Sequence, residues 1–353
     1  MDRKNIYEII IEFDNSKNQK LFEGNIDYLG SKSYQDYVLI SQDKITISAK
    51  RSSKVDLQTI FYNHNSSLYN QIIKSLAYYY CISKSYFEIE KIKIIRKSST
   101  KKLDEKTFKK SEINQIVSSE FKLSSKFEPT KLEIIFSETE KGKMLLNSIS
   151  HYLSAHNSND DYEKFERLWK SFNPLYRAIG KQNTEFDNLK ETRNFILANH
   201  TCLKLSIPTV NKLDAKELRL KLRWRALILN NYPTESDTKN YTNSILRYTD
   251  YRIMNAYLET IGNREQFLKN KNWYTKVINH LNHHINLKTK VDFEVISVLT
   301  LRYMYFVRNK SFHGEKIDST FRLTINKEIN EFGWLNKRLE PFIVDLINAN
   351  DKY

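Results

Sequence analysis

The chain has 353 residues, of which 40% are hydrophobic and 13% aromatic; this excludes a disordered tail and leaves room for two domains, one of them large. Lys and Arg number 57 against 42 Asp and Glu, and the resulting +15 suits a polyanionic partner such as nucleic acid, or simply lysine on every solvated face. The two cysteines, Cys81 and Cys202, stand far apart and exclude a disulfide framework or a cysteine-based zinc site, while 7 Gly and 5 Pro are too few for a turn-dense all-β fold.

The first residues, Met1 to Asn5, lead into only a short apolar run, so no signal peptide is expected. Arg302 interrupts the longest apolar stretch, 295–307, so no membrane span is expected and a cytoplasmic location is. Residues 6–13 (IYEIIIEF), 37–41 (YVLIS) and 44–50 (KITISAK) are short and rich in β-branched side chains, which predicts strands. Residues 68–83 carry apolar positions at helical spacing, and 87–95 (FEIEKIKII) alternate like a half-buried strand. The Lys-, Ser- and Thr-rich run 97–110 reads as a solvated segment, with a second RNA grip as the sharper alternative. A further strand is predicted at 131–136 (KLEIIF), after Pro129. Residues 1–138 thus read as a small α+β domain, suited to sensing or regulation.

From there the periodicity is helical. Helices are predicted at 141–153, 161–179, 186–198, 214–230, 243–261, 272–287, 293–307 and 330–349, with Gly180, Pro208, Pro233 and Gly262 in the breaks. No repeat period links them, so 139–353 reads as one helical domain. The fold class expected is mostly α, a C-terminal helical bundle preceded by the smaller α+β domain.

The helix predicted at 293–307 runs directly into RNKSFHG at 308–314, and Gly314 offers the left-handed conformation that ends helices. On an ideal helix Arg308 and His313 point about 140° apart. They can act together only if the helix distorts or ends between them, or if each faces a pocket made with a second copy of the chain. Chemically, such a pair serves RNA cleavage, because RNA carries its own nucleophile in the 2′-hydroxyl. An imidazole such as that of His313 can take up and release a proton near neutral pH, and Arg308 offers a permanently charged donor fork to the anionic phosphorane. No metal and no cofactor are required. Spacing alone does not select this pair, since Arg193 and His200 form a second instance, again with Asn after Arg.

The surroundings select it. VRNKSFHGE at 307–315, after a long apolar helix and before one last helix, resembles the signature of the HEPN superfamily of helical ribonuclease domains. FERLWKSFNPLY at 165–176 resembles the opening helix of its larger bacterial members, notably the abortive-infection type called ApeA. The resemblance covers about residues 145–353. It implies Arg308 and His313 as the catalytic pair and Asn309 as their polar neighbour; Asn173 matches a less diagnostic position. It also implies a homodimer with a composite site, and metal-independent cleavage to a 2′,3′-cyclic phosphate and a 5′-hydroxyl. A toxin or phage-defence role follows by analogy, with a phage-derived trigger or a neutralising partner and transfer RNA as an expected substrate. The stretch between opening helix and motif is longer than the pattern, which leaves the substrate groove open.

Two other features compete for a role. His280, His283 and His284 share one helix face, a spacing that fits a metal but comes without a carboxylate or Cys at a helpful offset, so a solvated or RNA-facing helix is expected. Arg219, Lys221, Arg223 and Arg225 surround Trp224, a set suited to phosphate contacts and base stacking; an ordinary amphipathic helix is the plainer reading. No Gly-rich phosphate loop and no Ser/His/Asp set occurs. A non-catalytic RNA- or nucleotide-binding module and a dimerising scaffold stand as alternatives to the ribonuclease.

Overall fold

The computed structural model describes residues 5–29, 31, 33–63, 66–98, 101–312 and 327–353. The chain forms two compact units, Met1–Ala178 with Ile347–Tyr353, and Ile179–Leu346. An antiparallel sheet thus precedes a helical region, as the strand and helix patterns along the chain predict. Residues 139–178, read from the sequence as the start of the helical domain, fall in the first unit.

In the first unit β1 (Asn5–Phe13), β2 (Lys20–Asp27), β3 (Gln35–Ser41) and β4 (Lys44–Arg51) precede helix α1 (Ser67–Ser83), and β5 (Ile89–Ser98) and β6 (Lys101–Lys109) come after it. The sheet order is β2-β3-β4-β1-β5-β6, antiparallel throughout. Ile9 lies between Ile47 and Ile94 in register, so β-branched side chains line the centre of the sheet. Tyr7, Ile9, Ile11 and Phe13 are buried at alternate positions of β1, and α1 contributes Tyr78, Tyr79 and Tyr80. The Phe13 and Tyr79 rings stack at 3.9 Å. One polar group enters this interior fully paired: Asp36 accepts from Arg51 at 2.7 and 2.6 Å and from Gln71 at 3.1 Å.

β6 occupies most of the run expected as a solvated segment. Its Lys101, Lys102 and Lys109 stay exposed at the sheet edge and the strand pairs charge across it, as Glu105 does with Lys93 at 3.3 Å; charge on an edge strand discourages further pairing. Residues 131–136 are a correction. They form α2 (Pro129–Leu132) and a 3-10 turn (Glu133–Phe136), not a strand. Pro129 presets the first helical position, and the buried residues Leu132, Ile135 and Phe136 have helical spacing. Two helices complete the unit, α3 (Glu140–Ala155) and α4 (Asp161–Gly180), the latter carrying Pro174 within it.

The second unit contains α5 (Glu185–Ala198), α6 (Ile207–Asn211), α7 (Ala215–Lys221), α8 (Trp224–Asn231), α9 (Thr238–Leu246), α10 (Tyr251–Thr260), α11 (Glu265–Asn270) and α12 (Tyr274–Asn286). A long run comes next, α13 (Asp292–Val298), a π-helical turn (Leu299–Tyr303) and α14 (Met304–Phe312); the last helix, α15 (Lys327–Asn348), extends into the first unit. Two helices expected to be continuous are broken. Between α7 and α8 the backbone is extended at Leu222, and the Arg223 N–H donates to the Tyr303 hydroxyl at 2.7 Å in place of a helical carbonyl. Between α9 and α10 the Thr249 and Asp250 N–H groups donate to the Glu294 carboxylate at 2.7 and 2.9 Å. Both breaks depend on acceptors distant in sequence.

Arg252, 0% exposed, ties the base of this unit together. Its five N–H groups reach Asp250 at 2.9 and 2.7 Å, Asp292 at 2.8 Å, and the Val210 and Leu213 carbonyls at 2.8 and 3.3 Å. The sites joined are the start of α10, the start of α13 and the α6–α7 connection. On α15, Asp345 accepts from the Leu205 N–H at 3.0 Å and from the Ser206 N–H and hydroxyl at 2.8 and 2.6 Å. Burial outweighs those donors and pushes its carboxyl up to about 6. Among the described residues no helix is long and apolar enough to cross a membrane.

Arg252→Leu leaves the buried Asp250 and the half-buried Asp292 without their cation and is expected to cost about 3–5 kcal/mol in urea unfolding. The raised carboxyl of Asp345 means that the folded state holds a proton the unfolded state releases between about pH 4 and pH 6. Its contribution is therefore present at low pH and lost as pH rises. The stability of wild type relative to Asp345→Asn should fall by about 3 kcal/mol from pH 4 to pH 7, and unfolding midpoints across that range measure it.

Candidate active site

The run α13–π–α14 positions the candidate residues. Its start is fixed through Asp292 and Glu294, and Val295, Val298, Leu299, Met304 and Val307 bury its apolar face. The π-turn inserts one residue and so rotates the downstream helix by about 100° relative to an uninterrupted one. Arg308 and Asn309 lie on α14, beyond that rotation.

The Arg308 guanidinium is partly exposed. It donates through Nη1 to Asn309 Oδ1 at 2.8 Å and stands 4.0 Å from the Glu185 carboxylate. Its Nε is buried without a hydrogen-bond partner among the described residues. A cation held by one amide and one distant carboxylate keeps most of its donors for a ligand. His313 lies outside the described residues. α14 is helical as far as Phe312, so the step to His313, where the helix could end between the two residues, also lies outside the described residues; a π-turn precedes Arg308.

Asn309 also lines a cavity of about 560 Å³ within the second unit. Four cations line it as well, Lys190 and Arg193 on α5, Arg247 after α9, and Arg302 in the π-turn, and no carboxylate does. Among the described residues none of the four makes an ion pair. Arg302 instead donates to the Tyr257 and Tyr232 hydroxyls, and its guanidinium lies 5.2 and 5.8 Å from the Tyr232 and Tyr257 ring centres. Arg193 donates to Asn194 Oδ1 at 3.2 Å, the arrangement Arg308 makes with Asn309. Burial and the neighbouring Arg247 guanidinium hold Arg193 below its ordinary pKa, the direction expected where positive charge is crowded and unpaired.

The alternative pair is separated. Arg193 faces the cavity, whereas the His200 ring stacks on Phe293 at 4.7 Å and is not part of its lining. The basic cluster also divides. Trp224 is 5% exposed and meets Tyr257 edge-on at 5.4 Å, so burial removes its ring from base stacking. Arg223 pairs with Glu331 at 2.9 Å, and Arg219 with Glu259 at 2.7 Å. Only Lys221 and Arg225 remain as exposed cations without a described ion pair. The helical break at Leu222 is what turns Arg223 and Trp224 inward. His280 Nε2 lies 2.8 Å from the Tyr248 carbonyl, and burial, then the two neighbouring imidazoles, lowers the pKa of His284. Among the described residues no group of three or more His, Cys, Asp or Glu is arranged to hold a metal ion.

No protein-family model, curated protein or solved structure matches the chain. The residues that sequence reasoning passed over are Arg247, Lys190 and above all Arg302. Its signal was present, a lone cation within the apolar stretch 295–307, but it served there only to exclude a membrane span.

The division within the basic cluster has a direct test. Trp224→Ala is expected to cost about 3–5 kcal/mol of stability in urea unfolding. Lys221→Gln and Arg225→Gln should each stay within about 0.5 kcal/mol of wild type.

Proposed function

We propose that the chain is a metal-independent RNA endonuclease of HEPN type, acting in toxin or phage-defence fashion. The observation that carries this reading is the Arg308 guanidinium, partly exposed and oriented by Asn309, with an uncompensated basic cavity directly beside it. The +15 charge supports a polyanionic substrate in the same sense.

In this reaction the 2′-hydroxyl oxygen of one nucleotide attacks its own 3′-phosphate. His313 accepts the hydroxyl proton, and Arg308 donates to the non-bridging oxygens as charge builds on the phosphorane. The 5′-oxygen of the next nucleotide leaves and takes up a proton, giving a 2′,3′-cyclic phosphate and a 5′-hydroxyl. Asn309 is a positioning residue, fixing the guanidinium through its Oδ1. Two chains in a homodimer supply two Arg308/His313 sets to one composite site, one of the two ways in which residues five apart on a helix can act together.

Arg308→Ala should lower the cleavage rate of single-stranded RNA by about 10²-fold or more, and His313→Ala by about 10²–10⁴-fold, with unchanged far-ultraviolet circular dichroism. The wild-type rate should be the same with EDTA present. Loss of cleavage on chelation contradicts the mechanism, as does full activity in either variant.

A further inference from the structure

The basic cavity is large and chemically specific enough to be a site in its own right. At about 560 Å³ it lies within the range of small-ligand sites. Its charge is unbalanced in a way that a purely structural set of arginines is not. Arg252 in the same unit shows the contrast, with two aspartates answering one guanidinium. In the cavity Lys190, Arg193, Arg247 and Arg302 have no described ion pair, and Arg193 Nε is buried without a hydrogen-bond partner among the described residues. The two tyrosine hydroxyls on Arg302 offer oxygen lone pairs but no charge. An anion with several oxygens supplies what is missing, and the planar forks of three arginines match phosphate.

Phosphate alone does not account for the rest of the lining. Phe186, on α5 one turn before Lys190, is 75% exposed and forms part of the wall. An aromatic ring left in water beside a cationic cavity is suited to stacking against a flat ring. The amide side chains of Asn309, Asn240 and Asn243 also line the wall, and each offers both a donor and an acceptor to the edge of a base.

We propose that this cavity binds a nucleotide, with the phosphate against Arg193, Arg247 and Arg302 and the base against Phe186. The unit recognised is a nucleoside monophosphate, either free or as one residue of an RNA strand. This assignment does not depend on the cleavage reaction and stands or falls by direct binding.

Isothermal titration of the full chain tests it, using the four 5′-ribonucleoside monophosphates, adenosine, inorganic phosphate and a 5′-phosphorylated pentaadenylate. At least one monophosphate should bind with a Kd below about 1 mM, and more tightly than adenosine or phosphate. Arg247→Gln, at an exposed position, and Arg193→Gln should each weaken that binding by about 10- to 100-fold, the worth of a charge-assisted hydrogen bond. Phe186→Ala should weaken the monophosphate by at least about fivefold and leave inorganic phosphate unchanged. Tighter binding of the pentaadenylate, weakened by the same substitutions, assigns the site to an RNA strand; equal or weaker binding assigns it to a free nucleotide. Absence of binding by all four monophosphates and the pentaadenylate overturns the proposal, and so does binding indifferent to both arginine substitutions. Because a nucleoside monophosphate carries no cleavable linkage, its binding is read independently of cleavage.

Discussion

The second unit is organised around the buried guanidinium of Arg252. A cation removed from water is tolerated only where every donor is answered, and here two carboxylates and two carbonyls answer all five. The consequence reaches beyond the ion pair itself. Asp250 caps α10 and accepts from the Val291 N–H at 2.6 Å, while Glu294 takes the N–H groups of Thr249 and Asp250. The start of α13 is therefore held by charge on several sides, and the helix that grows from it has a fixed origin. Without that origin neither Arg302 nor Arg308 would have a defined position.

From this anchored base the run α13–π–α14 brings two guanidiniums to two neighbouring places. Arg302 enters the basic cavity from the π-turn, against Tyr232 and Tyr257. Arg308 lies beyond the turn, with Asn309 belonging both to it and to the cavity wall. The electrostatic logic is opposite to that at the base of the unit. At Arg252 charge is compensated, whereas around the cavity it is left uncompensated, the condition that attracts an anion. A single helical run thus connects a compensated charge cluster to an uncompensated one.

Much of this was legible in the sequence. The periodicity at 293–307, the strands of the sheet centre and the helices α1, α3, α4 and α5 all arise from local pattern. What escaped was decided from a distance. The helix expected at 214–230 breaks because Tyr303 offers its hydroxyl to the Arg223 N–H, and no local residue announces that. Trp224 has the neighbours of a stacking residue, yet the same break buries it against Tyr257. Residues 131–136 are β-branched enough to suggest a strand, but Pro129 and the spacing of Leu132, Ile135 and Phe136 favour a helical turn. For the candidate site, the sequence reached Arg308 and Asn309 through a motif and Arg193 through a chance resemblance in spacing. It could not show that Arg193 and Asn309 line one cavity, because α5 and α14 meet only in the fold.

The chemistry of the RNA ends is the most direct measure of the account. If Arg308 stabilises attack by the 2′-hydroxyl, RNA incubated with the purified chain and sequenced end by end should carry 2′,3′-cyclic phosphates and new 5′-hydroxyls, absent from a parallel His313→Ala reaction. New 3′-hydroxyls with 5′-phosphates would place the attack on water and contradict the mechanism; RNA left intact would contradict the nuclease itself.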